Sequence, residues 1–197
     1  MNWMTKDWTQ GESNALVKKL GGDDVARGIL NDTVKFTIVE TPAPSTLSPF
    51  VTVSTTITET RDPDNFFCDR SGLYVWGDYR NRIVNKAKPV EKGMVLTAKH
   101  AELERDATDK DIELALGEDH IWEEGALCAF IAQCISEQEG GKSGVLLNSG
   151  YANLFYTSSC VVLVDWDADR RKWYVNTWRR DGNRWSAGDR AVSPATN

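Results

Sequence analysis

The sequence predicts an α+β fold, and three observations carry that expectation. Helical periodicity is concentrated in the first three quarters of the chain and is strongest over residues 122–138. Residues 49–60 are dense in β-branched side chains, as a strand should be. After Gly140-Gly141 only short alternating segments remain, separated by turn residues, so helices come early and a meander of strands comes late. At 197 residues the chain is long enough for one full-sized domain with a small appendage. Its 41% hydrophobic and 26% charged residues exclude a disordered or collagen-like chain.

In chain order, Thr9-Gln10-Gly11-Glu12 has the spacing of a capping box, and Ala15, Leu16 and Leu20 then recur at helical intervals until Gly21-Gly22. Val25, Ile29 and Leu30 line one side of a second short helix over residues 23–30. Residues 1–32 are therefore expected to be a helical extension whose apolar faces pack on each other or on the main domain, residues 33–197. Val34–Ile38 switches to period two, and Thr41-Pro42-Ala43-Pro44-Ser45 reads as a linker or edge loop. The strand over 49–60 closes on the turn Asp62-Pro63-Asp64-Asn65. Leu73-Tyr74-Val75-Trp76 reads as a short buried strand, Asp78 as the cap of a helix reaching Ile83 and Val84, and Met94–Thr97 as a further strand. Thr108 opens a helix bearing Ile112 and Leu116, with acidic residues in its first turn where the helix dipole favours them. In the helix over 122–138, Leu127, Phe130, Ile131, Cys134 and Ile135 form one stripe. Strands are then expected at 145–147, 153–156, 160–166, 172–179 and 190–193, with hairpin turns at 167–171 and 181–183.

The net charge of −6 opposes a main role in holding duplex nucleic acid, where affinity comes chiefly from Lys and Arg on phosphates. The charge is uneven. Residues 151–197 hold seven basic and five acidic side chains, and the remainder carries a net −8. No apolar run approaches a membrane span, and the N-terminus does not lead into the apolar core of a signal peptide. A soluble protein is expected, in the cytoplasm or brought to a virion or cell surface by another route.

Four cysteines without a CxxC pair, and only His100 and His120 beside them, point to buried free thiols rather than a zinc site. No phosphate-binding loop, dinucleotide fingerprint, HExxH or GxSxG motif occurs, so no cofactor and no catalytic residue is expected. Either histidine could serve as a general base, but a structural hydrogen bond is the simpler role without a visible partner. Asp165-Trp166-Asp167-Ala168-Asp169 has the opening of a calcium loop, yet Arg170 and Asn176 stand where such a loop needs Gly and Glu. A polar hairpin turn is expected there, without metal.

Residues 151–197 hold four of the eight tryptophans among Asn, Asp, Ser, Thr, Tyr and Arg, a mixture suited to recognition. Alternation places Trp173, Val175 and Thr177 on one side of a strand and Tyr174, Asn176 and Trp178 on the other. The segments Gly150–Tyr156, Val164-Asp165-Trp166, Trp173–Trp178 and Trp185–Arg190 resemble the variable region of target proteins of diversity-generating retroelements. The resemblance implies a C-type-lectin-like fold and a non-enzymatic protein that displays diversified residues to a protein or surface-glycan ligand. Such retroelements randomise template adenines, commonly in AAC or AAT codons, which cannot thereby become Lys, Glu, Gln, Met or Trp. Residues 151–197 contain no Glu, Gln or Met. The tryptophans Trp166, Trp173, Trp178 and Trp185 are then scaffold. The implied ligand-binding positions are Tyr151, Ser158, Asp165, Asp167, Asp169, Arg170, Tyr174, Asn176, Arg179, Asp181, Asn183, Ser186 and Asp189. The competing class is a single-stranded nucleic-acid module or an enzyme using the same Trp/Arg-rich tail, which five interleaved aspartates oppose.

Overall fold

The computed structural model describes residues 9–31, 33 and 45–195. The chain divides into two compact units, residues 1–43 and 44–197. The expected strand Val34–Ile38 and nearly all of the linker Thr41–Ser45 lie outside the described residues.

In the first unit, α1 (Gln10–Lys19) begins on the expected capping box. The Glu12 amide donates to the Thr9 hydroxyl at 3.3 Å, and the Thr9 amide donates to the Glu12 carboxylate at 2.8 Å. Gly21 and Gly22, with φ of 101° and 100°, reverse the chain into α2 (Asp23–Leu30). Packing of the two helices on each other buries little: among the described residues no residue of α2 is buried, and Leu16 and Leu30 are exposed. Two helices of two to three turns offer each other too little apolar surface to exclude water.

The second unit is mixed α+β. Its strands are β1 (Val51–Thr56), β2 (Leu73–Val75), β3 (Val95–Glu102), β4 (Ala107–Thr108), β5 (Asn153–Tyr156), β6 (Val161–Asp167), β7 (Lys172–Trp178), β8 (Arg184–Trp185) and β9 (Arg190–Pro194). Its helices are α3 (Pro63–Phe66), α4 (Gly77–Arg82), α5 (Asp109–Leu116) and α6 (Glu124–Glu137). Seven strands form one sheet in the order β1-β3-β9-β5-β6-β7-β2, while β4 and β8 pair separately. The expected antiparallel meander holds for β5, β6 and β7 only. After β7 the chain leaves the sheet through β8 and returns as β9, which inserts between β3 and β5 and runs parallel to β5. The short β2 is likewise parallel to β7.

Further departures have local causes. In place of the turn expected at 62–65 stands the one-turn helix α3, with the side chain of its cap residue Asp62 accepting from the Asp64 amide and Pro63 in the first turn, where its missing N–H costs nothing. Helix α4 starts at Gly77 with Trp76 in the cap position, so Asp78 lies inside its first turn and does not cap it. Residues 145–147 form no strand because side chains replace a partner strand. Gln138 accepts from the Leu146 amide and donates to the Leu146 carbonyl at 2.8 and 2.9 Å, and Asn153 does the same for Leu147 at 2.8 and 3.2 Å. Both of these polar side chains are buried, so their bonding capacity is met by the loop they hold.

Helix α6 is buried nearly all round, its whole expected stripe included, and packs on one face of the sheet with Phe155, Val162, Val164, Trp173 and Val175. Among the cysteines, Cys128, Cys134 and Cys160 are buried free thiols as expected, while Cys68 is exposed. Burial pushes the Cys128 thiol up to about 12, which keeps it in the unreactive protonated form. On the other face, α5 and the β4–β8 pair cover the middle of the sheet, burying Leu154, Tyr156, Val161 and Ala191 with Ile112, Leu116 and Trp185. That cover stops short of the β6-β7-β2 end, and this asymmetry creates the site.

Candidate recognition surface

The strand register sets the uncovered face as a small lattice. On β6 the outward residues are Leu163, Asp165 and Asp167, alternating with the buried Val164 and Trp166. On β7 they are Lys172, Tyr174, Asn176 and Trp178, alternating with the buried Trp173, Val175 and Thr177. Antiparallel pairing sets Asp167 opposite Lys172, Asp165 opposite Tyr174, Leu163 opposite Asn176 and Val161 opposite Trp178. Parallel pairing sets Tyr74 beside Tyr174, with ring centroids 5.3 Å apart, and Tyr74 meets Trp76 edge-on at 5.6 Å. Tyr74, Trp76 and Trp178 are 37%, 47% and 50% exposed, so three large rings stand in water around Tyr174 and Asn176.

A wall bounds the face on the β5 side. Gly150, Ala152, Arg184, Trp185, Ser186 and Asp189 join Leu163 and Asp165 around a depression of about 340 Å³. Its geometry depends on Gly188: a Cβ there would lie 2.6 Å from the Tyr151 ring, and its φ of 95° disfavours any other residue. Trp185 is held from beneath by Asp109, the first residue of α5. The buried Asp109 carboxylate accepts from the Trp185 indole at 2.7 Å, the Tyr156 hydroxyl at 3.1 Å, and the Asn183 side chain and amide at 2.8 and 3.2 Å.

The residues singled out in the sequence divide between several places. Asp165, Asp167, Tyr174 and Asn176 lie together on the face, with Ser186 on the wall and Tyr151 against it. Asp169 and Arg170 are exposed in the hairpin turn beyond β6. Arg170 donates to Asp167 from its amide and its guanidinium at 2.9 and 2.7 Å, which lowers the Asp167 carboxyl and raises the arginine. Arg179 and Asp181 in the turn after β7 and Ser158 in the β5–β6 turn are exposed together at the other end of the strands, away from the Asp169–Arg170 hairpin.

Two residues belong to the framework instead. Asp189 is 7% exposed and accepts from the Ala152 and Ser186 amides, both at 2.9 Å. Asn183 is bound to Asp109. Among the four tryptophans, Trp166, Trp173 and Trp185 are buried as a scaffold should be, whereas Trp178 stands out on the face, edge-on to Trp185.

Tyr74 and Trp76 are the contributors that sequence reasoning missed. Leu73-Tyr74-Val75-Trp76 alternates with period two, and the strand is half-buried rather than buried: Leu73 and Val75 enter the core while the two rings face out. Neither histidine lines the face. His120 is bonded to the Gly117 carbonyl and lies 3.9 Å from Glu113, whose carboxylate is gripped in two-pronged fashion by Arg180 at 2.9 and 2.8 Å. His100 sits in β3, its pKa lowered by burial and by Arg190. Among the described residues no cluster of His, Cys, Asp or Glu could hold a metal ion, and no helix is long and apolar enough to cross a membrane.

Asp165 is held at an energetic disadvantage. Burial, then the neighbouring Asp167, raise its carboxyl above the usual value, so the folded state resists ionising it. A carboxyl raised by folding imposes no penalty below its unfolded pKa; the penalty develops as pH rises through the folded value and persists at neutrality. Asp165→Asn is therefore expected to stabilise the protein at pH 7 by less than about 1 kcal/mol, because the carboxyl keeps part of its water. The gain should vanish near pH 3. Denaturation curves of both proteins at the two pH values check this, and a loss of stability at pH 7 would contradict it.

No family model, no curated protein and no solved structure matches the chain.

Proposed function

We propose that this chain is a non-enzymatic ligand-binding protein, the variable protein of a diversity-generating retroelement with a C-type-lectin-like domain. Its β6-β7-β2 face is the recognition surface. The single observation that carries the reading is the division of labour within two adjacent strands. Val164, Trp166, Trp173 and Val175 supply the core, while Asp165, Tyr174 and Asn176, alternating with them, face outward on a surface that no other described element covers. Such an arrangement lets the outward residues change without disturbing the fold. Exposed rings provide contact area at small entropic cost, and short polar groups provide adaptable hydrogen bonds. The broad face and shallow wall suit a protein surface or a glycan.

The test is a joint replacement, Asp169→Ser, Tyr174→Ser, Asn176→Ser and Arg179→Ser, compared with Trp166→Ala and Trp173→Ala. The joint variant should stay within about 1 kcal/mol of the parent, about 2–4 °C in Tm. The tryptophan variants should melt far lower. Unfolding of the joint variant with silent tryptophan truncations would show that the face is structural and remove this reading.

A further inference from the structure

A second concavity borders this face at its Lys172 edge, between the starts of β2 and β7, the end of α6 and the β6–β7 turn, with a volume of about 750 Å³. Leu73, Ile135 and Trp173 line it, and it carries Arg70, Arg170, Arg171 and Lys172 against one carboxylate, Glu139. That is a local positive excess in a chain of net charge −6. Arg170 is already bound to Asp167, but among the described residues no ion pair engages Arg70, Arg171 or Lys172. Arg70 is held in place without being neutralised, its guanidinium resting 4.0 Å from the centre of the Phe66 ring.

Two further features argue against a merely structural role for these cations. The Gln138 carbonyl at the end of α6 does not need them, because it already accepts from the Gly141 and Lys142 amides at 3.0 and 3.2 Å and from the Trp173 indole at 3.4 Å. Arg171 has φ of 53°, the one positive value at a non-glycine residue among those described. Glycine would occupy that left-handed position with less strain, so the arginine is placed there against the backbone's preference.

We propose that this groove binds a compact anion bearing two or more phosphoryl groups. Three uncommitted cations call for a ligand of several negative charges, guanidinium groups match phosphoryl oxygens in pairs, and the volume is that of a small-molecule site. The groove shares Lys172 with the edge of the recognition face but uses none of its rings, and it is tested separately, by anion affinity.

The experiment is calorimetric titration of the full chain with tripolyphosphate, and with hexaglutamate as a carboxylate of comparable or greater charge, at low and high salt. Tripolyphosphate should bind with a stoichiometry of one, more tightly than hexaglutamate and less tightly at high salt. Arg171→Gly and Lys172→Gln should each weaken it about tenfold, the effect of losing one charge-assisted contact. Lys86→Gln, outside the groove, should change nothing. Arg171→Gly should keep or raise the melting temperature, because glycine accepts the left-handed backbone. The proposal is overturned by absence of saturable binding, by tighter binding of hexaglutamate, or by equal weakening in Lys86→Gln. Undiminished affinity in both groove variants, or a fall in the melting temperature of Arg171→Gly, overturns it as well.

Discussion

Trp173→Ala is expected to lower stability by about 3–5 kcal/mol, through lost burial and the cavity left behind. The ring is 1% exposed and lies at the centre of the α6-side core, its centroid 5.3 Å from that of Trp166. Its indole donates to the Gln138 carbonyl, so the truncation also removes a tie between β7 and the end of α6. Trp178, five residues on in the same strand, supplies the control: half exposed and outward, it should cost less than about 1 kcal/mol when replaced by Ala. Chemical denaturation of the two variants checks the pair. Similar losses for both would contradict the assignment of opposite faces.

Asp109→Ala should be comparably severe, about 3–5 kcal/mol, because it leaves the buried Trp185 indole and Tyr156 hydroxyl and the Asn183 backbone amide without this acceptor. Asp109→Asn keeps the shape but turns one acceptor into a donor facing donors, so it should recover only part of the loss. Because these bonds tie α5 to the 183–185 segment, the variants should also accelerate hydrogen exchange at the Trp185 indole relative to the α6 amides. Wild-type stability in Asp109→Ala would show that the wall is not held from beneath.

What could be read from the sequence follows the range of the interactions involved. Helix α6 was legible because its stripe at Leu127, Phe130, Ile131, Cys134 and Ile135 is a local period. The two faces of β7 were legible for the same reason, and with them the grouping of Tyr174 with Asn176. Asp109 was legible only as a favourable charge in a first turn. Its partners lie 47 to 76 residues away, and no local pattern announces them. The insertion of β9 beside β5 and the parallel pairing of β2 depend equally on distant partners, whereas the loss of a strand at 145–147 turns on Gln138 and Asn153, eight and six residues away, whose bonds to the loop backbone no periodicity shows. Asp189 and Asn183 have the composition of surface residues, and only their bonds to Ala152, Ser186 and Asp109 place them in the framework.

The most direct test of a diversified recognition face is deep sequencing of this gene's final quarter across a population of its source. The account predicts substitutions concentrated at the outward codons, those for Asp165, Asp167, Asp169, Tyr174, Asn176 and Arg179. The codons for Trp166, Trp173, Val175 and Asp189 should stay fixed. A near-copy of the stretch, differing almost only at adenines, should lie beside a reverse-transcriptase gene. Substitutions spread evenly over buried and outward codons, with no such copy, would contradict it.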